Sequence, residues 1–437
     1  MEKLLKYDDG FNKWRDEIIC ANDYFQTTLG AREILANTDI TGILTIVRLE
    51  MSSRNSTGHF GNYLCDAPYA LVRSALQALK NIEPYPDFIV WTGDNAPHTR
   101  KVDFPVIFKT LSNITEELKS LFNSNIPILP VLGNHDTYPQ VVVINTNLYY
   151  RNNKLGEDLK DPGFQFKWLR SSLQDAKNTK RKVLIAAHAP PGYWERSPKI
   201  SFLNDSYNDE FVDILNEFGE QIIGQIYGHE HTDSFRIFGH NLTSVGFLAP
   251  SVTPWYPVLM AEGTAINPSL RLYDYSPNSI IDYHQYHMNL TEANKAKLID
   301  SCSIEVNSDL KCSDASRGLW KEYYQATKAF GVTSVDVKGL REVFSKLSNN
   351  DSYFQAYYLR NSAGIQNGYC NETCKLNHLC AISHLKIQSL IHCLNSSHEN
   401  TSDMETLIIF SVAIFFAISL AILILAIVLR RRSRNSS

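Results

Sequence analysis

Between residues 70 and 230 of this 437-residue chain, short apolar runs alternate with amphipathic stretches. Strands are predicted at Asp87–Trp91, Ile126–Leu132, Val141–Asn145, Val183–Ala187 and Ile222–Tyr227. The spacing of apolar residues predicts helices at Leu71–Asn81, Pro105–Phe122, Phe164–Asp175 and Asp209–Phe218. Strands that alternate with helices predict an α/β sheet with helices on its faces. Ligands of such sheets bind beyond the carboxyl ends of the strands.

Four of the predicted strands are followed closely by polar residues that can bind a metal. The candidate ligands are Asp94, Asn134, His188, His229 and His231. Each has an ordinary alternative, because Asp94 could cap a helix, Gly-Asn is typical of a turn, and His188 could be a structural histidine. Together they offer the carboxylate, amide and imidazole groups that zinc, manganese or iron accept in mixed shells. The sequence therefore predicts a metal site.

The order of these motifs resembles that of a known family. The runs WTGDNAPH, LGNHD, AHAPPG and YGHEHTDSFR are similar to the signature of the calcineurin-type metallophosphoesterases, and within them to the membrane-anchored branch of the acid sphingomyelinase-like phosphodiesterases. The resemblance extends over about residues 58–394. It implies a sandwich of β-sheets flanked by helices, with a small C-terminal helical, cysteine-rich region. It also implies a metal-dependent phosphoric diester hydrolase that acts outside the cytoplasm on sphingomyelin-like or nucleotide phosphodiester and pyrophosphate substrates.

The family pattern also implies a role for each motif residue. Asp94 takes the position of a carboxylate that bridges two zinc ions. The other ligands are divided between the ions, with Asn134, His188 and His229 at the second and His231 at the first. His135 and His98 match the histidines that steady the transition state and protonate the leaving oxygen. In general, two cations about 3.5–4 Å apart lower the pKa of a bridging water and hold the phosphoryl oxygens for in-line attack.

The sequence departs from the family pattern in two places. The family opens with Asp-x-His directly after a strand, whereas here Ile43–Val47 is followed by Arg48-Leu49-Glu50. Only Thr137–Gln140 separates GNHD from the next predicted strand, and a crossover between parallel strands needs about a dozen residues. An alternative transcript or an incomplete gene model would explain both departures. The alternative function, a catalytically impaired pseudoenzyme or binding module, explains only the first. With the opening motif absent, we expect one of the family's two zinc ions to be retained.

The segment Thr406–Leu429 contains no charged residue and is followed by a cluster of four arginines. As a helix it would be about 36 Å long, enough to cross a hydrocarbon core of about 30 Å. The arginines favour a cytoplasmic carboxyl terminus. The prediction is a single-pass membrane protein, bound to the membrane through this helix, with its catalytic region extracellular or lumenal, at the cell surface or in endolysosomes. Nine upstream Asn-x-Ser/Thr sites and the late cysteines agree with that compartment.

Past residue 290 the sequence becomes polar, helical and cysteine-bearing. The predicted organisation is an atypical N-terminal segment at 1–57, a metallophosphoesterase domain at 58–290, a C-terminal disulfide-bearing region at 291–400, a transmembrane helix at 406–429 and a cytoplasmic tail at 430–437. The family resemblance implies the disulfides Cys370–Cys374 and Cys380–Cys393. Because 42 basic residues nearly balance 46 acidic ones, no nucleic-acid partner is predicted. The expected partner is a phosphodiester substrate, either a small molecule or a lipid.

Overall fold

A computed structural model describes residues 58–63, 66–95, 104–131, 144–154, 156, 158–198, 200–239, 243–254, 265–295, 318–365 and 368–395. The chain divides into two compact units, Met1–Lys386 and Ile387–Ser437. In the second unit, the described residues form one helical stretch, 387–395. All the elements that position the candidate site belong to the first unit.

The strands of the first unit, in chain order, are β1 Ile89–Trp91, β2 Ile128–Pro130, β3 Val183–Ala187, β4 Ile222–Tyr227, β5 Ser234–Phe238, β6 Ser244–Leu248, β7 Ser269–Tyr275, β8 Ile280–Met288 and β9 Trp320–Gln325. The helices are α1 Tyr69–Ile82, α2 Phe104–Leu121, α3 Gln165–Asn178, α4 Asp205–Glu217, α5 Leu290–Lys295, α6 Ala326–Phe330, α7 Val337–Asn349, α8 Asp351–Asn361 and α9 Glu372–Ser383. Short 3-10 turns occur at Thr146–Leu148, Pro162–Phe164 and Gly219–Gln221.

The described strands form three sheets. A four-stranded sheet has the order β3-β4-β6-β5, in which β3, β4 and β6 are parallel and β5 is antiparallel to β6. β1 and β2 form a parallel pair, and β7, β8 and β9 form an antiparallel sheet. Asp94 follows β1, His188 follows β3 and His229 follows β4. These candidate ligands therefore lie at the carboxyl ends of parallel strands.

Both faces of the four-stranded sheet are covered, since neighbouring strand residues point to opposite sides. On one face, Tyr227 lies in a core with Leu173 of α3 and Phe211 of α4. On the other face, Ile226 lies in a second core with Tyr283 of β8 and residues of α7 to α9. The fold is therefore a sheet sandwich flanked by helices, as the sequence predicted.

Two strands match the prediction closely, whereas a third does not. β3 and β4 have the predicted bounds. The predicted strand Val141–Asn145 begins outside the described residues, and its visible end makes only one parallel bridge, Ile144 to Ala187. The side chain of Asn145 then accepts a hydrogen bond from the amide of Asn147, which starts a 3-10 turn and ends the extended run.

The C-terminal region contains a strand that the sequence did not indicate. β9 pairs antiparallel with β8, with Trp320 opposite Met288. The predicted disulfide Cys370–Cys374 is confirmed, with the two Cα atoms 5.4 Å apart. Cys380 and Cys393 are each disulfide-bonded, and their pairing with each other stays a prediction.

Among the residues that the structure describes, no helix could cross a membrane. The longest, α2, has 18 residues, but four of them are charged. A spanning helix needs about 20 mainly apolar residues. The segment Thr406–Leu429 lies outside the described residues. This finding contradicts the predicted transmembrane helix and the predicted single-pass localisation, and neither prediction is retained.

Four asparagines of the predicted glycosylation sites cap helices. The side chains of Asn204, Asn350 and Asn371 accept backbone hydrogen bonds at the starts of α4, α8 and α9. Asn289 accepts one from the amide of Glu292 in α5. An asparagine at this position satisfies an amide that the helix itself leaves unpaired. Capping therefore explains these four residues without a glycan, and glycosylation stays a prediction.

His378 of α9 is buried in the second core and should make the protein acid-sensitive. The rings of Phe354, Tyr357 and Tyr358 lie 5.8, 5.9 and 5.5 Å from its ring, all edge to face. Neither of its nitrogens has a hydrogen-bond partner among the described residues. Burial lowers the pKa of His378 to about 3.

Because the pKa of histidine in an unfolded chain is near 6.5, only the unfolded state gains this proton between about pH 6.5 and pH 3. We expect His378 to cost about 1.4 kcal/mol of unfolding free energy per pH unit as the pH falls through this range. His378→Phe should remove about 2–3 kcal/mol of the loss between pH 7 and pH 4.5, as measured by denaturant unfolding. Parallel pH profiles for the two proteins would contradict this.

Candidate metal centre

His188 directly follows β3, and its hydrogen bonds fix which nitrogen faces the site. Its ring is only 2% exposed, and Nδ1 lies 2.6 Å from the backbone carbonyl oxygen of Thr92. Because a carbonyl oxygen can only accept, Nδ1 donates this hydrogen bond, and a neutral His188 keeps its lone pair on Nε2. Such second-sphere bonds commonly orient histidines that bind metals.

Nε2 of His188 lies between two other candidate ligands. It is 2.9 Å from Oδ2 of Asp94 and 3.1 Å from Nδ1 of His229. A lone pair and a carboxylate oxygen at this distance repel each other unless a cation, either a proton or a metal, lies between them. The ligand atoms of the three residues all lie within 4.8 Å of one another. One carboxylate and two imidazoles in a buried pocket fit zinc or a similar transition metal.

The backbone at these ligands adopts a conformation that few residues tolerate. Asp94, His229 and His231 have φ angles of 56°, 68° and 60°. This left-handed region is uncommon for residues other than glycine, and such strain is often found at functional sites. Gly228 allows the close approach of β1 and β4, because a Cβ there would lie 3.0 Å from Oγ1 of Thr92.

Two aromatic rings hold the imidazole of His229. The rings of Tyr150 and Phe202 stand edge to face against it, with centroids 5.4 and 5.1 Å away. Sequence reasoning gave no role to either ring or to Thr92. Thr92 does lie two residues before the candidate ligand Asp94, at the end of a strand, but its carbonyl is available in any residue type and leaves no sequence signal.

The structure brings together Asp94, His188 and His229 of the predicted set. His231 is buried and lines the same cavity of about 640 Å³, although it is not in the three-residue cluster. Asn134, His135 and His98 lie outside the described residues. The division of ligands between two ions therefore stays a prediction.

Two other groups have metal-ligand chemistry but are already engaged. Cys370 and Cys374 are joined to each other beside His378. In the group Asp274, Asp282 and His284, both oxygens of Asp282 accept hydrogen bonds from Thr327 at the start of α6. The Asp94 group is the one that lies at the carboxyl ends of parallel strands.

Glu230 separates His229 and His231 but is absent from the metal cluster. It lies instead with Glu195 and Arg236 in a group that we call the buried anchor. Burial raises the pKa of Glu230 well above its ordinary value, although Arg236 opposes this. Burial is also the largest influence on the pKa of Glu195 and acts to raise it, but the charge of Arg236 together with the hydrogen bonds of Glu230 and Asn361 outweighs burial, so that this pKa is lowered.

Comparison with known proteins agrees with this site. Residues 57–233 match the family model of the calcineurin-like phosphoesterases, and residues 241–400 match that of the acid sphingomyelin phosphodiesterase C-terminal region. Acid sphingomyelinase-like phosphodiesterase 3b of Homo sapiens is 30% identical over 397 residues, which cover 78% of this chain and 83% of that protein. The chain belongs to the acid sphingomyelinase-like phosphodiesterase family.

Other relatives within the family carry different substrate names. Cyclic GMP-AMP phosphodiesterase SMPDL3A of Homo sapiens is 30% identical over 403 residues, covering 78% of this chain and 83% of the relative. Sphingomyelinase phosphodiesterase C of Dictyostelium discoideum is 29% identical over 399 residues, covering 78% and 84%. The predicted family and the predicted activity, phosphoric diester hydrolysis of the sphingomyelinase-like type, are thus confirmed. The comparisons do not show a membrane-anchored branch.

Proposed function

We propose that this acid sphingomyelinase-like phosphodiesterase cleaves its substrate at a zinc centre held by Asp94, His188 and His229. The observation that carries the proposal is the 2.9 Å approach of the His188 lone pair to the Asp94 carboxylate, which calls for a cation between them. Both groups are at most 10% exposed, so that water screens this approach poorly. The proposed ion is zinc, because it accepts oxygen and nitrogen ligands together.

The residues of the chain have separate tasks in this proposal. Thr92 holds His188 in the tautomer that can bind a metal, and the rings of Tyr150 and Phe202 restrict His229. Bound zinc would polarise a phosphoryl oxygen and lower the pKa of a bound water. From the family resemblance, Asn134 and His231 would be further ligands, and His135 and His98 would stabilise charge and carry a proton to the leaving oxygen.

The proposed substrates are phosphoric diesters of the two kinds named among the relatives, sphingomyelin-like lipids and nucleotides. Both contain the diester phosphate that a metal centre recognises. The residues of the centre would contact this shared group. The residues that line the rest of the cavity would therefore determine whether a lipid or a nucleotide binds.

Hydrolysis of bis(p-nitrophenyl) phosphate by the purified chain with added Zn²⁺ tests the proposal. We expect Asp94→Asn to lower turnover by more than about 100-fold, because loss of even a second-sphere partner commonly costs 10–100-fold. Asp213→Asn, at an exposed carboxylate of α4 that does not line the cavity, is the matched control and should retain activity. Equal turnover by Asp94→Asn and the unaltered chain would refute the site, and zinc binding without turnover would favour a binding module.

A further inference from the structure

The side chain of Glu230 points away from the metal cluster and into the protein. Glu230 is 2% exposed, and Arg236 of β5 donates a hydrogen bond to its Oε1. The hydroxyl oxygen of Thr232 lies 3.3 Å from its Oε2. A carboxylate between two histidines would be an obvious ligand by sequence, but within the described part of the chain its side-chain hydrogen bonds are with the buried anchor and Thr232.

Arg236 connects this carboxyl group to the rest of the fold. Its guanidinium is fully buried and lies 2.9 Å from Oε2 of Glu195, 3.2 Å from the carbonyl oxygen of Tyr193 and 3.0 Å from Oγ of Ser234. An arginine with this many partners cannot move without leaving buried groups unpaired. Glu230 is therefore attached to a rigid part of the sandwich.

The loop between β4 and β5, residues 228–233, is also held at its other end, by α8. At the end of α8, Nδ2 of Asn361 lies 2.9 Å from the carbonyl oxygen of Asp233 and 2.8 Å from Oε1 of Glu195. The amide of Asp233 donates to the carbonyl oxygen of Asn361 at 3.0 Å. Residues 230–233 are thus attached at Glu230 and again at Asp233, on either side of His231.

We propose that Glu230 is a positioning residue for the metal centre. Glu230 lies in the buried anchor, whereas its neighbours on both sides, His229 and His231, line the cavity that Asp94 also lines. With Glu230 drawn into the buried anchor, His229 and His231 are turned outward, toward Asp94 and the cavity. The buried contacts offset the cost of the left-handed backbone at both histidines. This role rests on the proposed metal site for its effect on binding, but not for its effect on the loop.

Zinc affinity and loop protection test this role together. The probe is Zn²⁺ alone, titrated in competition with a chromogenic chelator, and hydrogen exchange of residues 228–233 is measured on chelator-treated protein. We expect Glu230→Ala to weaken Zn²⁺ binding about 10–100-fold and to speed exchange in this segment. Glu230→Gln keeps the shape and an acceptor oxygen, and it should restore both properties to within a few-fold of the unaltered chain.

Asp282→Ala is the matched control, because it also removes a buried carboxylate with several hydrogen bonds, but from β8. It should lower thermal stability without changing Zn²⁺ affinity. If Glu230→Ala does not fold, Thr232→Val removes one contact of the same carboxyl group and should weaken binding about tenfold. Unchanged affinity with unchanged exchange, or no rescue by Gln, would overturn the positioning role. If the unaltered chain itself binds no Zn²⁺, the metal proposal fails. Faster hydrogen exchange in Glu230→Ala would then still show that Glu230 holds the loop, and unchanged exchange would show that it does not.

Discussion

Replacing His229 with Ala should remove most of the bound zinc and, with it, nearly all phosphodiesterase activity. The residue supplies one of three ligand groups in the described cluster, and its Nδ1 lies 3.1 Å from Nε2 of His188. His135→Ala should behave differently, because the family resemblance gives this histidine a role in stabilising charge and transferring protons. We expect the His135→Ala variant to retain its zinc while its rate of phosphodiester hydrolysis falls by about 10²–10⁴-fold.

Elemental analysis of both purified variants, alongside initial rates on bis(p-nitrophenyl) phosphate, separates the two roles. His284→Ala is the control, since this imidazole lies on β8 between Asp274 and Glu322. It should match the unaltered chain in zinc content and in rate. Equal zinc loss in the His229 and His135 variants would contradict the assigned roles.

About one tightly bound zinc per chain is the second expectation, because the opening Asp-x-His of the family is absent. The second metal position keeps four expected ligands, Asp94, Asn134, His188 and His229. The first keeps only Asp94 and His231, and two protein ligands rarely hold a cation. A single ion can polarise the phosphate, but it cannot stabilise both the attacking and the leaving oxygen.

The double substitution Arg48→Asp with Glu50→His should therefore raise the zinc content toward two per chain. It should also raise turnover by about 10²-fold or more, because one group that stabilises charge in the transition state commonly changes turnover by about this factor. Arg48→Asp alone is the control, since it removes the cation without supplying the histidine. Two zinc ions in the unaltered chain, with no gain from the double substitution, would show that Glu50 or another group completes the site.

The part of the site that sequence could predict is the part encoded by local pattern. β3 and β4 are apolar runs that end at His188 and just before Gly228, so their bounds and the positions of their ligands follow from the sequence. The order of the motifs along the chain then indicates one shared edge. This is why Asp94, His188 and His229 could be grouped before their distances were known.

The remainder depends on partners that are distant in sequence. β9 has the sequence Trp-Lys-Glu-Tyr-Tyr-Gln, and only Trp320 is buried, so that pairing with β8 rather than a buried apolar face defines it. Likewise, the inward orientation of Glu230 depends on Arg236 and Glu195, and the latter lies 35 positions earlier. The left-handed backbone at His229 occurs beside those contacts and has no local signal in the sequence.

The helix-capping asparagines affect how glycosylation should be mapped in this protein. The usual exchange of Asn for Gln would delete an N-cap as well as an acceptor site, at a typical cost of about 1 kcal/mol per helix. A lost gel shift could then reflect misfolding and retention rather than a missing glycan. At Asn350 and Asn371 the third residue of the site is Ser352 or Thr373. Ser352→Ala and Thr373→Ala abolish the acceptor sites and leave both caps intact.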